Sequence, residues 1–320
     1  MKTLLLTERD VAALLTMEDC MAALEETFRR QDAGMAMNHP RRRLYVPEGT
    51  FHMMEAADLV SHRMAIKAYA SFRPATRFLV LLYDTDNGDL LAMIEADRLG
   101  QMRTGAATGV ATRYMARPES KTLGLFGAGW QAETQARAVA AVRPLTRIQV
   151  YSRTPEKRED FARRMESVIP AEIVPVESPE EALEGADIIV TATTSRSPVF
   201  DGRQIAPGTH INAVGSNALS RAEVDITTVS RASRIVVDSL EQSKREAGDL
   251  LAPVEARKLR WEQVHELREV VAGRWGGREK TEEITLFKSN GLALEDVAAA
   301  DLVYQQARRQ GMGREISLWD

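Results

Sequence analysis

The chain has 320 residues, of which 44% are hydrophobic and 28% charged, with a formal net charge of −4. That length exceeds one compact core and supports two domains, and the composition is that of a globular protein with no biased tract. The small negative charge gives no general electrostatic reason to bind nucleic acid or an anionic membrane; no apolar run approaches the ~20 residues of a membrane span, and the leucines of "MKTLLLTERD" are too few for a signal peptide.

Two helices are expected first. Thr7-Glu8-Arg9-Asp10 has the outline of a capping box, and Thr16 to Asp19 repeats it before "CMAALEETFRRQ". Cys20, the one cysteine, lies on the apolar side of the second helix and reads as a buried small hydrophobe rather than a reactive thiol. It cannot form an intrachain disulfide, which fits a reducing, cytoplasmic setting. Pro40 and Arg41-Arg42-Arg43 interrupt the helices, and "TFHMMEA", "MAIKAYA" and "RFLVLLYD" are strand-like. Asp84-Thr85-Asp86-Asn87-Gly88 is a turn signal before the returning strand "DLLAMIEA". "RLGQMRTGAATGVATRYMA" then reads as a helix rich in small residues. This first part is a mixed α+β unit with hairpin-connected strands.

After Pro118 the rhythm changes. Strand-like "TLGLFG", "RIQVY", "AEIVPV" and "ADIIVTAT" alternate with helix-like "QAETQARAVAAV", "PEKREDFARRM" and "PEEALEG", and "THINAVG" and "SRIVVDS" continue the strands. Such alternation signals a doubly wound parallel sheet. "LEDVAAADLVYQQARRQ" closes the chain as a long amphipathic helix.

"TLGLFGAGWQAETQ" ends a strand and opens a helix at the start of this α/β succession. In a dinucleotide fingerprint Gly127 permits the tight turn, Gly129 lets backbone approach a pyrophosphate at the helix N-terminus, and Ala132 allows close helix–sheet packing. The acid that usually holds the NAD ribose is missing from the next strand tip, which reads Tyr151-Ser152-Arg153-Thr154-Pro155-Glu156-Lys157. Ser152 and Thr154 can hydrogen-bond there, and Arg153 and Lys157 can meet a 2′-phosphate, so NADP(H) is favoured and NAD(H) stays open.

With these motifs placed, "QMRTGAATGVAT", "GAGWQAETQ", "HINAVGS" and "TLFKSNGLALEDVAAA" resemble the ornithine cyclodeaminase/mu-crystallin family over nearly the whole chain. The resemblance implies a Rossmann-type dinucleotide domain (117–294) inserted into a discontinuous α+β substrate and dimerisation domain (1–116 plus 295–320), and a homodimer. It implies that Arg42, with Arg43 as a neighbouring candidate, Lys67 and Arg103 anchor the carboxylate of an amino or imino acid. A bidentate guanidinium suits that group. From the residues alone, Lys67 is either at a strand end or buried with a purpose, and Arg103 can instead pair with Glu95 or Asp97. Further coenzyme contacts implied are Thr76, Arg103, Gly127, Ala128, Gly129, Trp130, Gln131, Ser152, Arg153, Thr154, Lys157, Thr193, Val214 and Ser289.

One departure bears on the reaction. Cyclodeaminases of the family, and the archaeal-type alanine dehydrogenases that resemble them, look like G-x-D where this chain has Gly215-Ser216-Asn217, and an amide accepts no proton at neutral pH although it orients an amine or imine. The cyclodeaminase glutamate falls near His52, which is either a proton donor or a satisfied strand residue. Lys67 and Asn217 are therefore expected at the centre of a reduction of imine-bearing carboxylic acids by NAD(P)H. Cyclic ketimines such as pyrroline-2-carboxylate or piperideine-2-carboxylate, or open-chain imino acids, would give L-amino acids. The alternatives are an ornithine or lysine cyclodeaminase that recycles NAD, or a non-catalytic NADP-bound ligand-binding protein. No metal is expected: His39, His52, His62, His210 and His265 are scattered, and Glu241-x-x-Lys244-x-Glu246 and Glu279 to Glu283 read as solvated helix faces.

Overall fold

The computed structural model describes residues 2–72 and 76–318. It forms two compact units, Met1–Thr104 with Leu292–Asp320, and Gly105–Gly291.

The first unit opens with β1 (Lys2–Leu6), followed by α1 (Glu8–Leu14) and α2 (Met17–Asp32). Thr7 caps α1 in a full capping box with Asp10, and Thr16 caps α2 by accepting from the Asp19 amide. Then come β2 (Ala36–Asn38), β3 (Arg42–Val46), β4 (Gly49–Asp58), β5 (Arg63–Phe72), β6 (Thr76–Asp84), β7 (Leu90–Glu95) and α3 (Asp97–Met115).

The second unit contains β8 (Thr122–Phe126), α4 (Trp130–Val142), β9 (Arg147–Tyr151), α5 (Pro155–Glu166), β10 (Glu172–Val176), α6 (Pro179–Leu183), β11 (Ile188–Thr191) and β12 (His210–Ala213). α7 (Ile226–Arg231), β13 (Arg234–Val237), α8 (Leu240–Glu246), α9 (Gly248–Glu255), β14 (Val264–Glu266), α10 (Leu267–Val271) and β15 (Thr285–Lys288) complete it. The chain then returns to the first unit as α11 (Ala293–Gln310) and β16 (Arg314–Ser317).

The second unit's sheet is wholly parallel, in the order β10-β9-β8-β11-β12-β15-β13-β14. Its order reverses between β8 and β11, and the carboxyl ends of strands at such a point form the crevice where open α/β sheets bind ligands. Buried Leu, Ile, Val and Ala fill both faces.

The first unit's sheet runs β16-β1-β7-β6-β5-β4-β2, with β3 also paired to β4; it is antiparallel except between β1 and β7. α11 packs on β4, β5 and β6 and against α2. One face of the sheet thus carries Met54, Ala65, Lys67, Tyr69, Val80 and Leu82, all buried.

The units divide at 104/105 and 291/292, against the expected 116/117 and 294/295. The cause is α3, whose C-terminal part is tied into the second unit. A Cβ on Gly105 would stand 2.6 Å from the Thr134 carbonyl oxygen, Asn212 donates to Thr112 Oγ1, and Arg143 donates to the Thr112 and Ala116 carbonyls. A second difference concerns Glu241-x-x-Lys244-x-Glu246: Glu241 is exposed, but Glu246 is buried, accepting from Gln242 one turn earlier. Among the described residues no helix is long and apolar enough to cross a membrane.

Candidate active site

In the first unit the site is built on the alternation of β5. Lys67, between apolar neighbours, points to the face covered by α11 and is 2% exposed. Its Nζ donates to Asp296 Oδ1 at 2.8 Å, and Arg103 Nε on α3 donates to the same oxygen at 3.1 Å. Arg103 Nη1 donates to Glu295 Oε2 at 2.8 Å. Both acids lie in the first turn of α11, where the helix dipole favours negative charge. Arg103 thus pairs with these two acids and not with Glu95 or Asp97.

Burial pulls the Lys67 ammonium down to about 8; Asp296 opposes the shift, and Arg103 and Arg41 add to it. Burial works against the Arg103 charge too, but Asp296 and Glu295 outweigh it and hold the guanidinium above its usual range. The Cys20 thiol, also buried here, is pushed up by burial and then by Glu295, so it stays protonated. A buried ion network of this kind is weak evidence for stability.

The arginine run divides between two faces. Arg42 pairs in register with Met53, on the face away from Lys67; it is 60% exposed and donates to Glu55 Oε2 at 2.6 Å. Arg43 pairs with His52, and Met54 with Lys67. Arg41 is buried with its Nε 3.4 Å from Met54 Sδ, on the Lys67 face. The structure therefore does not bring Arg42 to Lys67: strand alternation gives that place to Arg41, with Arg43 on the same face. His52 stacks on Tyr69 at 4.2 Å, and burial followed by Arg43 and Arg41 lowers it to about 4. It is neutral at pH 7 and poorly suited to donate a proton. Thr76 opens β6 opposite Ser71, half-buried.

In the second unit Gly127 follows β8 with φ +111°, and its amide donates to the Tyr151 carbonyl at 2.9 Å. A Cβ there would meet Ala192 O at 2.5 Å, so the turn requires glycine. Gly129 is the N-cap of α4 without a side-chain cap bond, and a Cβ on it would meet nothing within 4 Å. The backbone at this helix start is thus open to an anion, as a pyrophosphate needs. Ala128 and Ala132 are buried, Trp130 is 53% exposed, and Gln131 Oε1 is buried with no hydrogen-bond partner among the described residues. An unfilled turn, an uncapped thirteen-residue helix and an orphaned buried amide oxygen fit a dinucleotide.

Around the tip of β9, Arg153, Thr154 and Lys157 are exposed and Ser152 half-buried. After β11, Thr193 donates through its amide and its hydroxyl to Glu223 Oε1, each at 2.7 Å. Glu223 also accepts from Thr191 and from the Gly215 amide at 2.6 Å, and burial raises its carboxyl. Beneath it, Asp249 accepts from the Glu223 and Val224 amides; Lys288 pairs with Asp249 at 2.9 Å and donates to the Ser216 carbonyl. This buried frame fixes Val214-Gly215-Ser216 and presents Asn217, which is exposed. Ser289 is buried and donates to Asp238 Oδ2 at 3.1 Å, which also takes the Asn290 and Gly291 amides.

Sequence reasoning missed Arg41, Glu295, Asp296, Glu223, Asp249 and Lys288. The signal available for Glu295 and Asp296 was their position: "LALEDVAAA" puts two carboxylates between apolar residues at the start of a helix. Among the described residues no group of three His, Cys, Asp or Glu side chains is arranged to hold a metal.

The chain is 40% identical over 239 residues to Delta(1)-pyrroline-2-carboxylate reductase of Bacillus cereus, covering 74% of this chain and 73% of that one. It is 34% identical to alanine dehydrogenase of Archaeoglobus fulgidus over 334 aligned positions, 100% of this chain and 99% of the other. The solved structure of Thermococcus litoralis Delta(1)-pyrroline-2-carboxylate reductase in complex with NADH and L-proline superposes with a TM-score of 0.94 at 38% identity, covering 98% and 100% of the two chains. The model of the ornithine cyclodeaminase/mu-crystallin family matches residues 1–311. With a glycine turn after β8, a buried lysine–arginine pair and this extent of match, the chain belongs to the ornithine cyclodeaminase/mu-crystallin family.

Proposed function

We propose that this protein is an NAD(P)H-dependent reductase that acts on the C=N bond of imine-bearing carboxylic acids and yields L-amino acids, with cyclic ketimines of the pyrroline-2-carboxylate kind as its substrate class. The observation that carries this reading is the buried joining of Lys67 and Arg103 through Asp296, with Arg41 buried on the same strand face. A buried ammonium and guanidinium side by side suit a substrate carboxylate. The similarity to two pyrroline-2-carboxylate reductases supports it.

Arg103 and Arg41 take the carboxylate, and Lys67 holds a proton at Nζ. Asn217 orients the nitrogen without abstracting a proton from it, which is why reduction is preferred to cyclodeamination. Gly127, Ala128, Gly129, Trp130 and Gln131 would hold the pyrophosphate side of the coenzyme, Thr193, Val214 and Ser289 its nicotinamide side, and Thr76 lends a further contact. The coenzyme, when bound, supplies the hydride.

NADPH is the favoured donor. The solved relative binds NADH, but here Arg153 and Lys157 stand exposed beside Ser152 with no strand-tip acid. Arg153→Ala should lower kcat/KM for NADPH by about tenfold or more and change that for NADH by less than about threefold, in line with a charge-assisted phosphate contact. Equal losses with both coenzymes would remove the preference. The protein is further proposed to work as a homodimer.

The test follows reduced-nicotinamide absorbance with each coenzyme and a panel of cyclic ketimines and keto acid–amine pairs. Imine-dependent oxidation of the coenzyme is the expected result. Ammonia release from ornithine or lysine at constant reduced coenzyme would overturn it in favour of a cyclodeaminase, and tight ligand binding without turnover in favour of a binding protein.

A further inference from the structure

Asp296 shares one oxygen between two cations. Oδ1 accepts from Lys67 Nζ and from Arg103 Nε, while Oδ2 is buried and accepts nothing among the described residues. An unsatisfied buried carboxylate oxygen is costly. Glu295, one residue earlier, accepts from a different nitrogen of Arg103, Nη1. Asp296 is thus the acid that bridges the two cations, and Glu295 serves Arg103 from its other edge.

We propose, resting on the imine-reductase reading, that Asp296 is a positioning residue that joins Lys67 to Arg103, so that Lys67 keeps its proton for the imine nitrogen while Arg103 takes the substrate carboxylate. In that step the Lys67 N–H bond breaks, the imine nitrogen lone pair takes the proton to form an iminium, and the neutral amine left on Lys67 regains a proton from water. The iminium is the better hydride acceptor.

The charged or titratable groups around Lys67 are Asp296 and Glu295 on α11, Arg103 on α3, Arg41 ahead of β3, Arg43 on β3, His52 on β4 and Cys20 on α2. Among them Asp296 is the acid that opposes burial and keeps Lys67 charged. The Phe78 ring lies 5.1 Å from Nζ.

The experiment titrates Lys67 Nζ by NMR in ¹⁵N-lysine-labelled protein, assigned with Lys67→Arg, and records the pH profile of kcat. Asp296→Asn should move the Lys67 midpoint and the alkaline limb of kcat down together, by about 1–3 pH units for loss of an adjacent opposite charge. Glu295→Gln should leave both in place and raise KM for the imino acid. An unmoved midpoint in Asp296→Asn, or an equal movement in Glu295→Gln, overturns the inference, since a merely structural role lowers amplitude without moving the limb. If Asp296→Asn does not fold, Asp296→Glu decides. Lys67 should then titrate within about half a pH unit of the wild type while kcat drops, because charge is kept and reach changed; an unchanged kcat overturns the positioning role. Should the wild type reduce no imine, the functional reading falls, and the NMR midpoints still decide this inference.

Discussion

Arg41→Ala removes a buried cation from the face that carries Lys67, whereas Arg42→Ala removes an exposed one paired with Glu55 on the other face. A hydrogen bond to a charged group contributes about 1.5–3 kcal/mol, so Arg41→Ala should raise KM for the imino acid by about tenfold or more. Arg42→Ala should stay within about twofold, because an exposed ion pair contributes only about 0.2–1 kcal/mol. Steady-state kinetics at saturating NADPH decides; the opposite ranking would put the substrate on the Arg42 face. Three consecutive arginines carry the same chemistry in sequence, and only the register of β3 on β4 separates them. Lys67 was legible because burying an ammonium among apolar strand residues is costly unless a partner or a ligand awaits it. Glu295 and Asp296 were not, since acids at a helix start are already favoured by the helix dipole.

At the scale of the element, the β8–α4 turn separates two glycines with different duties. Gly127→Ala forces a β-carbon onto a residue with φ +111° and against Ala192 O at 2.5 Å. It should destabilise the second unit by about 1–3 kcal/mol or more, seen as a lower Tm without coenzyme. Gly129→Ala meets nothing, so the Tm without coenzyme should hold while the Kd for NADPH rises by about tenfold or more, about 1.4 kcal/mol. Calorimetry with coenzyme titration measures both. A Gly129→Ala protein that binds NADPH normally would mean that no phosphate approaches this backbone. The parallel strands β8 to β13 were readable here because each is a short, mostly apolar run bounded by turn residues. β1 and β16 were not, since each is a short edge-side strand whose partner comes from the other end of the chain. α9 also escaped notice: Gly248 opens it and Pro253 lies inside it.

At the scale of the whole molecule, the first unit's sheet raises a question that its own chain does not answer. "RFLVLLYD" is apolar at successive positions, the pattern of a strand covered on both faces rather than one. α11 covers the face of Val80 and Leu82. On the other face Met64, Ile66, Leu79, Leu81, Tyr83 and Met93 are only half-buried or exposed. They adjoin one another through the pairs Met64–Tyr83, Ile66–Leu81 and Leu81–Met93. A contiguous apolar face of this kind suits the interface of the proposed homodimer. A two-fold interface sets one patch against itself, so Ile66→Asp introduces two carboxylates at once. Burying an unpaired charge costs several kcal/mol, enough to weaken association by about a hundredfold or more. Light scattering during size-exclusion chromatography should give twice the 35.5 kDa chain mass for the wild type and a monomer for Ile66→Asp at the same micromolar loading. An exposed control on the same strand face is unsuitable, so Arg153→Ala in the other unit serves: it should remain dimeric while losing NADPH preference. A wild type that elutes as a monomer would leave the apolar run of β6 without its second cover, and the partner for that face would have to be sought elsewhere.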